Sequence, residues 1–177
     1  MQYDLSQNHF VLFGLMPGFC IDAALLDQSY REIQRQVHPD RYADAGDVER
    51  RISMQWSAQA NEAYRTLKKP DSRARYLLQL RGVDALEDKT STMPAQFLMQ
   101  QMEWREALGD AASSRNAAAL QKLEQELKQE VGMLLKNLEL QLDRQRDDAA
   151  AAESVRKLKF MEKLIVEVQD TREALEI

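Results

Sequence analysis

The chain has 177 residues, enough for one large domain or two small ones, and it carries a net charge of −5. Residues 1–80 hold 10 basic and 10 acidic side chains, whereas residues 81–177 hold 14 basic and 19 acidic ones. The excess acid in the second half argues against nucleic acid as its partner, because phosphate binding needs clustered lysine and arginine.

The composition favours helices and excludes several kinds of site. Only 6 Gly and 4 Pro are present, while Ala, Leu, Gln, Glu and Arg are abundant. The lone cysteine, Cys20, excludes an intramolecular disulfide and a cysteine-pair metal site. The first residues lack a basic region, and no apolar run approaches the ~18 residues of a membrane span. We therefore expect a soluble, cytoplasmic protein.

Two helices are predicted in the first 38 residues. Asn8 can cap a short helix over residues 9–13, and Asp22 can cap a longer one. The apolar stripe of the longer helix is spaced by three or four residues and consists of Leu26, Tyr30, Ile33 and Val37. Arg31 and Arg35 lie on the opposite face, which is therefore basic.

Prolines mark the ends of the next elements. Pro39 stops the second helix, since the residue before a proline is pushed out of the α region, and residues 40–47 are predicted to form a loop. A third helix ends at Pro70, and Asp71 is expected to cap a fourth that stops at Gly82. The buried side of the third helix is predicted to carry Ile52, Trp56, Gln59, Ala63 and Leu67. A helical hairpin of this size, with short flanking helices, can bury a small core of its own.

A second helical domain is predicted after a linker. Residues 82–93 are polar and lack periodicity, so the linker is placed there, between domains over residues 1–81 and 94–177. The first helix of the second domain runs from Pro94 to Leu108 and ends at Gly109. The second carries Leu120, Leu123, Leu127, Val131, Leu134, Leu138 and Leu142, and the third carries Val155, Leu158, Met161, Ile165, Val168 and Leu175. Such regular seams predict a three-helix bundle, and the fold class is all-α.

The tripeptide His38-Pro39-Asp40 is the feature that points to a function. It is a short motif, but it follows an amphipathic helix with a basic outer face and precedes an antiparallel helix. Proline fixes the backbone, so the flanking side chains are presented in a defined geometry. The basic face, made of Arg31 and Arg35 and extended by Arg41, can attract an acidic partner.

Other interpretations of these residues stay open. The proline can be a plain helix stop between two polar residues, and the arginines can be an ordinary solvated face. His38 and Asp40 can also be an acid–base pair of an enzyme. The chain has only two histidines, however, and it lacks a nucleophile elbow, a Gly-rich phosphate loop and a metal-ligand cluster. We therefore expect no enzymatic activity, no metal and no cofactor.

The context of the tripeptide resembles a J-domain, and further segments extend the likeness. They occur in one order along the chain and read HFVLFGL, RQVHPDRYA, ANEAYRTLKKPDSRARYLLQLRG, FLMQQMEWREAL and RKLKFMEKL. Together they resemble the HscB family, the J-type co-chaperones of bacterial iron–sulfur cluster biogenesis, over nearly the full length. The last two segments are the specific part, because generic J-proteins lack them.

The resemblance implies a division of labour. The N-terminal J-domain would engage a dedicated DnaK-like chaperone of the HscA type and stimulate its ATPase. The C-terminal bundle would hold the iron–sulfur cluster scaffold protein, of the IscU type, and deliver it to that chaperone, so that hydrolysis promotes cluster transfer to acceptor proteins. No nucleic acid, membrane or cluster would bind to the chain itself.

The family's functional residues fall on matching positions. By this resemblance the chaperone-binding residues are Tyr30, Arg31, Arg35, His38, Pro39, Asp40 and Arg41. The scaffold-binding residues are Leu98, Met99, Met102, Glu103, Arg105, Glu106 and Phe160. Two conservative departures are visible: Val37 replaces the aromatic residue that usually precedes the motif, and Arg41-Tyr42 stand where Lys-Phe is frequent.

Helical geometry supports a partner surface independently. Phe97, Trp104 and Leu108 lie within about 40° of one another around the helix axis. A second stripe, about 140° away, consists of Leu98, Met99 and Met102. A helix in a three-helix bundle needs one buried stripe, and Phe160 is also displaced by about 100° from the seam of its helix. The second stripe could instead pack against the first domain, and the chain could be a J-protein with another client or a non-catalytic helical adaptor.

Overall fold

Every regular element is a helix in the part of the chain that the computed structural model describes. The described residues are 7–37, 39–42, 46–86 and 93–175. These ranges contain no strand, and the predicted all-α class is confirmed. Two compact units divide the chain between Leu77 and Leu78. Within the same ranges, no helix combines the length and the apolar character that crossing a bilayer requires.

The described residues of the first unit form four helices, the last of which contains the boundary between the units. They are α1 (His9–Leu12), α2 (Ala23–Val37), α3 (Asp47–Lys68) and α4 (Pro70–Leu80), with a 3₁₀ turn (Pro39–Tyr42) between α2 and α3. The predicted caps of α1 and α2 are confirmed. The Oδ1 atoms of Asn8 and Asp22 each accept two backbone N–H groups from the first turn of their helix.

Two predicted boundaries differ from the structure. A loop was expected over residues 40–47, but residues 40–42 belong to the 3₁₀ turn. The fourth helix also begins earlier than Asp71, because the Lys69 carbonyl already accepts the Arg73 backbone N–H at 2.9 Å. Asp71 therefore lies in the first turn of α4, where the positive end of the helix dipole stabilises its negative charge.

An antiparallel hairpin of α2 and α3 forms the centre of the first unit. Near one end of it the Lys68 ammonium lies 2.6 Å from the Asp27 carboxylate, and farther along the Tyr30 hydroxyl donates to Asn61 at 2.8 Å. The buried residues of α3 are Ser53, Trp56, Ala60, Ala63 and Leu67. Ile52, which was expected on that side, is 47% exposed, because the buried stripe passes through the following residue.

The second unit contains the predicted three-helix bundle. Its helices are α5 (Ala95–Ser113), α6 (Ala117–Glu139) and α7 (Asp148–Leu175), with a π-helical turn (Leu140–Gln145) after α6. One cluster of buried residues in its core consists of Phe97, Trp104, Ala111, Leu120, Leu123, Leu127, Met161, Leu164 and Val168. Two predictions are corrected: α5 continues through Gly109, and the α6 seam reaches the buried Leu142 through the π turn rather than an α-helix.

Part of the predicted linker packs on the second unit. Ala85 is fully buried, and its carbonyl accepts a hydrogen bond of 3.1 Å from the Arg156 guanidinium. Just before it, Arg81 pairs with Asp148 at 2.6 Å and donates to the Leu142 carbonyl at 2.9 Å. Residues 87–92 of the linker lie outside the described residues.

A buried carboxylate joins α6 to the last turns of α7. Glu124 is 5% exposed and accepts hydrogen bonds from Lys128 at 2.6 Å, Gln169 at 2.6 Å and Arg172 at 2.7 Å. The bonds from Lys128 and Gln169 lower the pKa of Glu124 below its ordinary 4.5, against the opposing effect of burial. The ionised carboxylate is therefore the form that these partners stabilise.

A Glu124→Gln variant is expected to unfold more easily at neutral pH, by about 1–3 kcal/mol, because three charge-assisted bonds are weakened. Since the folded state holds the pKa of Glu124 low, its contribution is complete above about pH 5 and is lost as pH falls through the folded-state pKa. Urea unfolding from pH 7 to pH 3 should show the difference between parent and variant shrinking with acid. The exposed Glu173→Gln control should stay within about 0.5 kcal/mol throughout, and a pH-independent difference for Glu124→Gln would contradict the assignment.

Candidate functional site

Three side chains bond the last carbonyls of α2, two of them from the 3₁₀ turn that contains Pro39 and Asp40 and one from α3. The last carbonyls of a helix have no partner within the helix. Here the Arg41 guanidinium donates to the Arg35 carbonyl at 2.7 Å, and the Tyr42 hydroxyl donates to the Gln36 carbonyl at 3.1 Å. Ser53 Oγ of α3 donates to the Val37 carbonyl at 2.7 Å. His38 itself lies outside the described residues, and Pro39 and Asp40 belong to the 3₁₀ turn.

Ser53 and Tyr42 were not predicted as site residues. Ser53 is 3% exposed and contacts a carbonyl sixteen residues away, a long-range relation that periodicity does not reveal. A buried serine beside an apolar stripe is the one sequence signal that could have identified it, because a buried hydroxyl needs a partner. Both hydroxyls therefore bond carbonyls at the end of α2, just before the tripeptide.

A Ser53→Ala variant is expected to destabilise the first unit by about 1–2 kcal/mol, since the Val37 carbonyl loses its donor and the better helix propensity of Ala offsets only part of the loss. Denaturation followed by Trp56 fluorescence would measure it, with Trp104 replaced by Phe in parent and variant alike. Ser57→Ala is the matched control. Its hydroxyl lies 3.5 Å from Gln34 Oε1, a weak bond, so it should cost less. Equal costs would argue against a special role for Ser53.

The predicted docking residues of α2 separate into two groups. Arg31 and Arg35 are exposed, as the basic face requires. Tyr30 instead faces α3, where its ring stacks on Tyr64 with centroids 4.1 Å apart and its hydroxyl donates to Asn61. Tyr30 is therefore half-buried against α3, whereas Arg31, Arg35 and Arg41 are exposed.

The predicted scaffold-binding residues of α5 form an exposed face. Leu98, Met99 and Met102 are 46%, 64% and 72% exposed, whereas Phe97 and Trp104 on the other stripe are buried. The charged residues Glu103, Arg105 and Glu106 are exposed on the same helix. The second stripe is thus open rather than buried, and α5 presents apolar side chains bordered by charge of both signs.

Phe160 lies where α7 meets α5. Its ring centroid is 5.9 Å from that of Phe97 and 6.5 Å from that of Trp104. The Arg105 guanidinium lies 5.5 Å from the ring centroid and also pairs with Glu167 at 3.5 Å. Phe160 is half-buried, so it joins the core to the exposed residue Arg105. The described residues contain no group of three or more His, Cys, Asp or Glu side chains able to hold a metal.

Comparison with known proteins identifies the family. Residues 93–169 match the family model described as the HSCB C-terminal oligomerisation domain. A protein of Burkholderia multivorans named co-chaperone protein HscB homolog is 52% identical over 97% of this chain and 98% of its own length. The chain belongs to the HscB family.

Solved HscB structures share the fold as well as the sequence. The chaperone HscB of Vibrio cholerae has 38% identity and a TM-score of 0.83, and the likeness covers 96% of this chain and 99% of that one. Human co-chaperone HscB has 30% identity and a TM-score of 0.88, covering 94% of this chain and 83% of that one. Both units of the chain are therefore HscB-like, and the exposed surfaces above are those of a co-chaperone family member.

Proposed function

We propose that the chain is a non-catalytic, cytoplasmic co-chaperone that stimulates the ATPase of a DnaK-like chaperone of the HscA type and delivers to it an iron–sulfur cluster scaffold protein of the IscU type. The observation that carries the proposal is that α5 has one apolar stripe buried in its bundle and a second apolar stripe exposed to solvent. The helix already buries Phe97 and Trp104 in its own bundle, yet it exposes Leu98, Met99 and Met102 together. Relatives named co-chaperone support the chaperone half of the proposal.

The first unit would act through charge and a fixed turn. The exposed Arg31 and Arg35 attract an acidic surface of the chaperone, which speeds association and makes it sensitive to salt. Arg41 and Tyr42, just after the tripeptide, bond carbonyls at the end of α2, and Ser53 of α3 bonds the Val37 carbonyl just before it. A turn fixed before docking loses less conformational freedom on binding, so more of the contact energy favours the complex.

The second unit would bind the scaffold through apolar anchors bordered by charge. Leu98, Met99 and Met102 lose contact with water when a partner covers them, while Glu103 and Glu106 set the orientation at the rim. A chain that holds the chaperone and the scaffold at once raises the effective concentration of one at the other. Delivery then needs no chemistry from the co-chaperone itself.

The test is the steady-state ATPase rate of a purified HscA-type chaperone with this chain, with an IscU-type scaffold, and with both. We expect the chain alone to stimulate hydrolysis and the scaffold to increase the stimulation further. Absence of any stimulation would overturn the J-domain assignment and leave a helical adaptor. Stimulation that the scaffold does not change, with no binding between scaffold and chain, would indicate a J-protein with another client.

A further inference from the structure

Two of the three apolar anchors on the exposed face of α5 are methionines. Met99 and Met102 are three residues apart, so they lie on one side of the helix, and both residues are largely open to solvent. Met161 of the same unit is 2% exposed and packed in the core. Met133 on α6 is 50% exposed and lies outside the α5 face, which makes it an internal reference for reactivity.

We infer that Met99 and Met102 form an oxidation-sensitive site at which a peroxide reversibly turns off scaffold binding. The inference rests on the proposed function. A sulfur lone pair attacks one oxygen of hydrogen peroxide, the S–O bond forms and the O–O bond breaks. The thioether loses two electrons and becomes a sulfoxide, while the second oxygen departs as hydroxide and becomes water with the proton that the transferred oxygen releases.

The product is poorly suited to the interface. A thioether is soft and apolar and adapts to a partner surface, whereas a sulfoxide is polar and must give up its water when the partner covers it. An unpaired polar group at a buried contact weakens binding by about tenfold or more. A scaffold already bound to the face would also cover both sulfur atoms, so binding should slow their oxidation.

The experiment compares scaffold binding by the full chain before and after treatment with hydrogen peroxide. Isothermal titration with a purified IscU-type scaffold measures affinity, and mass spectrometry of tryptic peptides measures sulfoxide at each methionine. The informative variant is Met99→Leu with Met102→Leu, which conserves volume and apolar character but cannot be oxidised. Met133→Leu is the matched control. Methionine sulfoxide reductases of both stereospecificities test reversal.

We expect oxidation to weaken binding by the parent and by Met133→Leu about tenfold or more, to be reversed by the reductases, and to leave the double leucine variant unaffected. Unchanged affinity with both sulfoxides present would overturn the inference. So would equal sensitivity of the double leucine variant, or oxidation of Met133 that spares Met99 and Met102. If the untreated chain does not bind the scaffold, the proposed function itself fails and the inference fails with it.

Discussion

A His38→Gln variant is expected to lose the stimulation of the chaperone ATPase while keeping its affinity for the scaffold. His38 opens the tripeptide of the first unit, whereas the proposed scaffold face lies on α5 of the second. Glutamine can still form hydrogen bonds, but it lacks the planar imidazole ring and cannot become cationic near neutral pH. We expect stimulation to fall by about tenfold or more, which corresponds to at least about 1.4 kcal/mol of lost coupling.

The chain contains its own control for this substitution, because the other histidine lies in α1. The His9 ring stacks on Tyr76 with centroids 4.2 Å apart, and burial lowers the pKa of His9. His9→Gln should therefore cost some stability of the first unit yet preserve stimulation in chaperone ATPase assays. If both variants stimulate like the parent, the tripeptide is a helix stop without a docking role. If both fail, the loss comes from the fold of the unit and not from the tripeptide.

Local signals explain why much of the fold could be predicted from the sequence. Asn8 and Asp22 satisfy N–H groups within three residues of themselves, so caps are visible in a short window of sequence. The division of α5 into a buried stripe and an exposed one follows from helical geometry, and the burial of Phe97 and Trp104 agrees with it. Helical geometry therefore separated the two stripes, whereas it left open whether the second one packs against the first domain.

The remaining features depend on contacts between distant residues. Ser53 rather than Ile52 faces α2, where its hydroxyl donates to the Val37 carbonyl. The spacing of apolar residues along α3 does not reveal this contact, because the carbonyl belongs to another helix. Glycine disfavours a helix interior, but packing of the bundle outweighs this preference at Gly109, and α5 continues to Ser113. The half-burial of Phe160 likewise depends on rings of another helix.

The second large effect is expected from Met99→Ala combined with Met102→Ala. Truncation of exposed anchors that become buried in a complex costs about 1–2 kcal/mol each, so scaffold affinity should fall by about 30- to 1000-fold. The free protein should keep its circular dichroism and its unfolding midpoint, because both side chains are open to solvent and Ala favours helix. Scaffold titration and thermal unfolding of the same samples measure the two quantities.

The double alanine variant distinguishes an effect on scaffold binding from an effect on core packing more clearly than Phe160→Ala does. The Phe160 ring contacts Phe97 and Trp104, so its removal disturbs the bundle as well as any bound partner. Met133→Ala, which truncates an equally flexible exposed side chain on α6, should leave scaffold affinity unchanged. Loss of helicity in the double variant would place both methionines in the core. Retained affinity with retained helicity would move the scaffold site away from this face of α5, and the charged residues beside it would lose their proposed role.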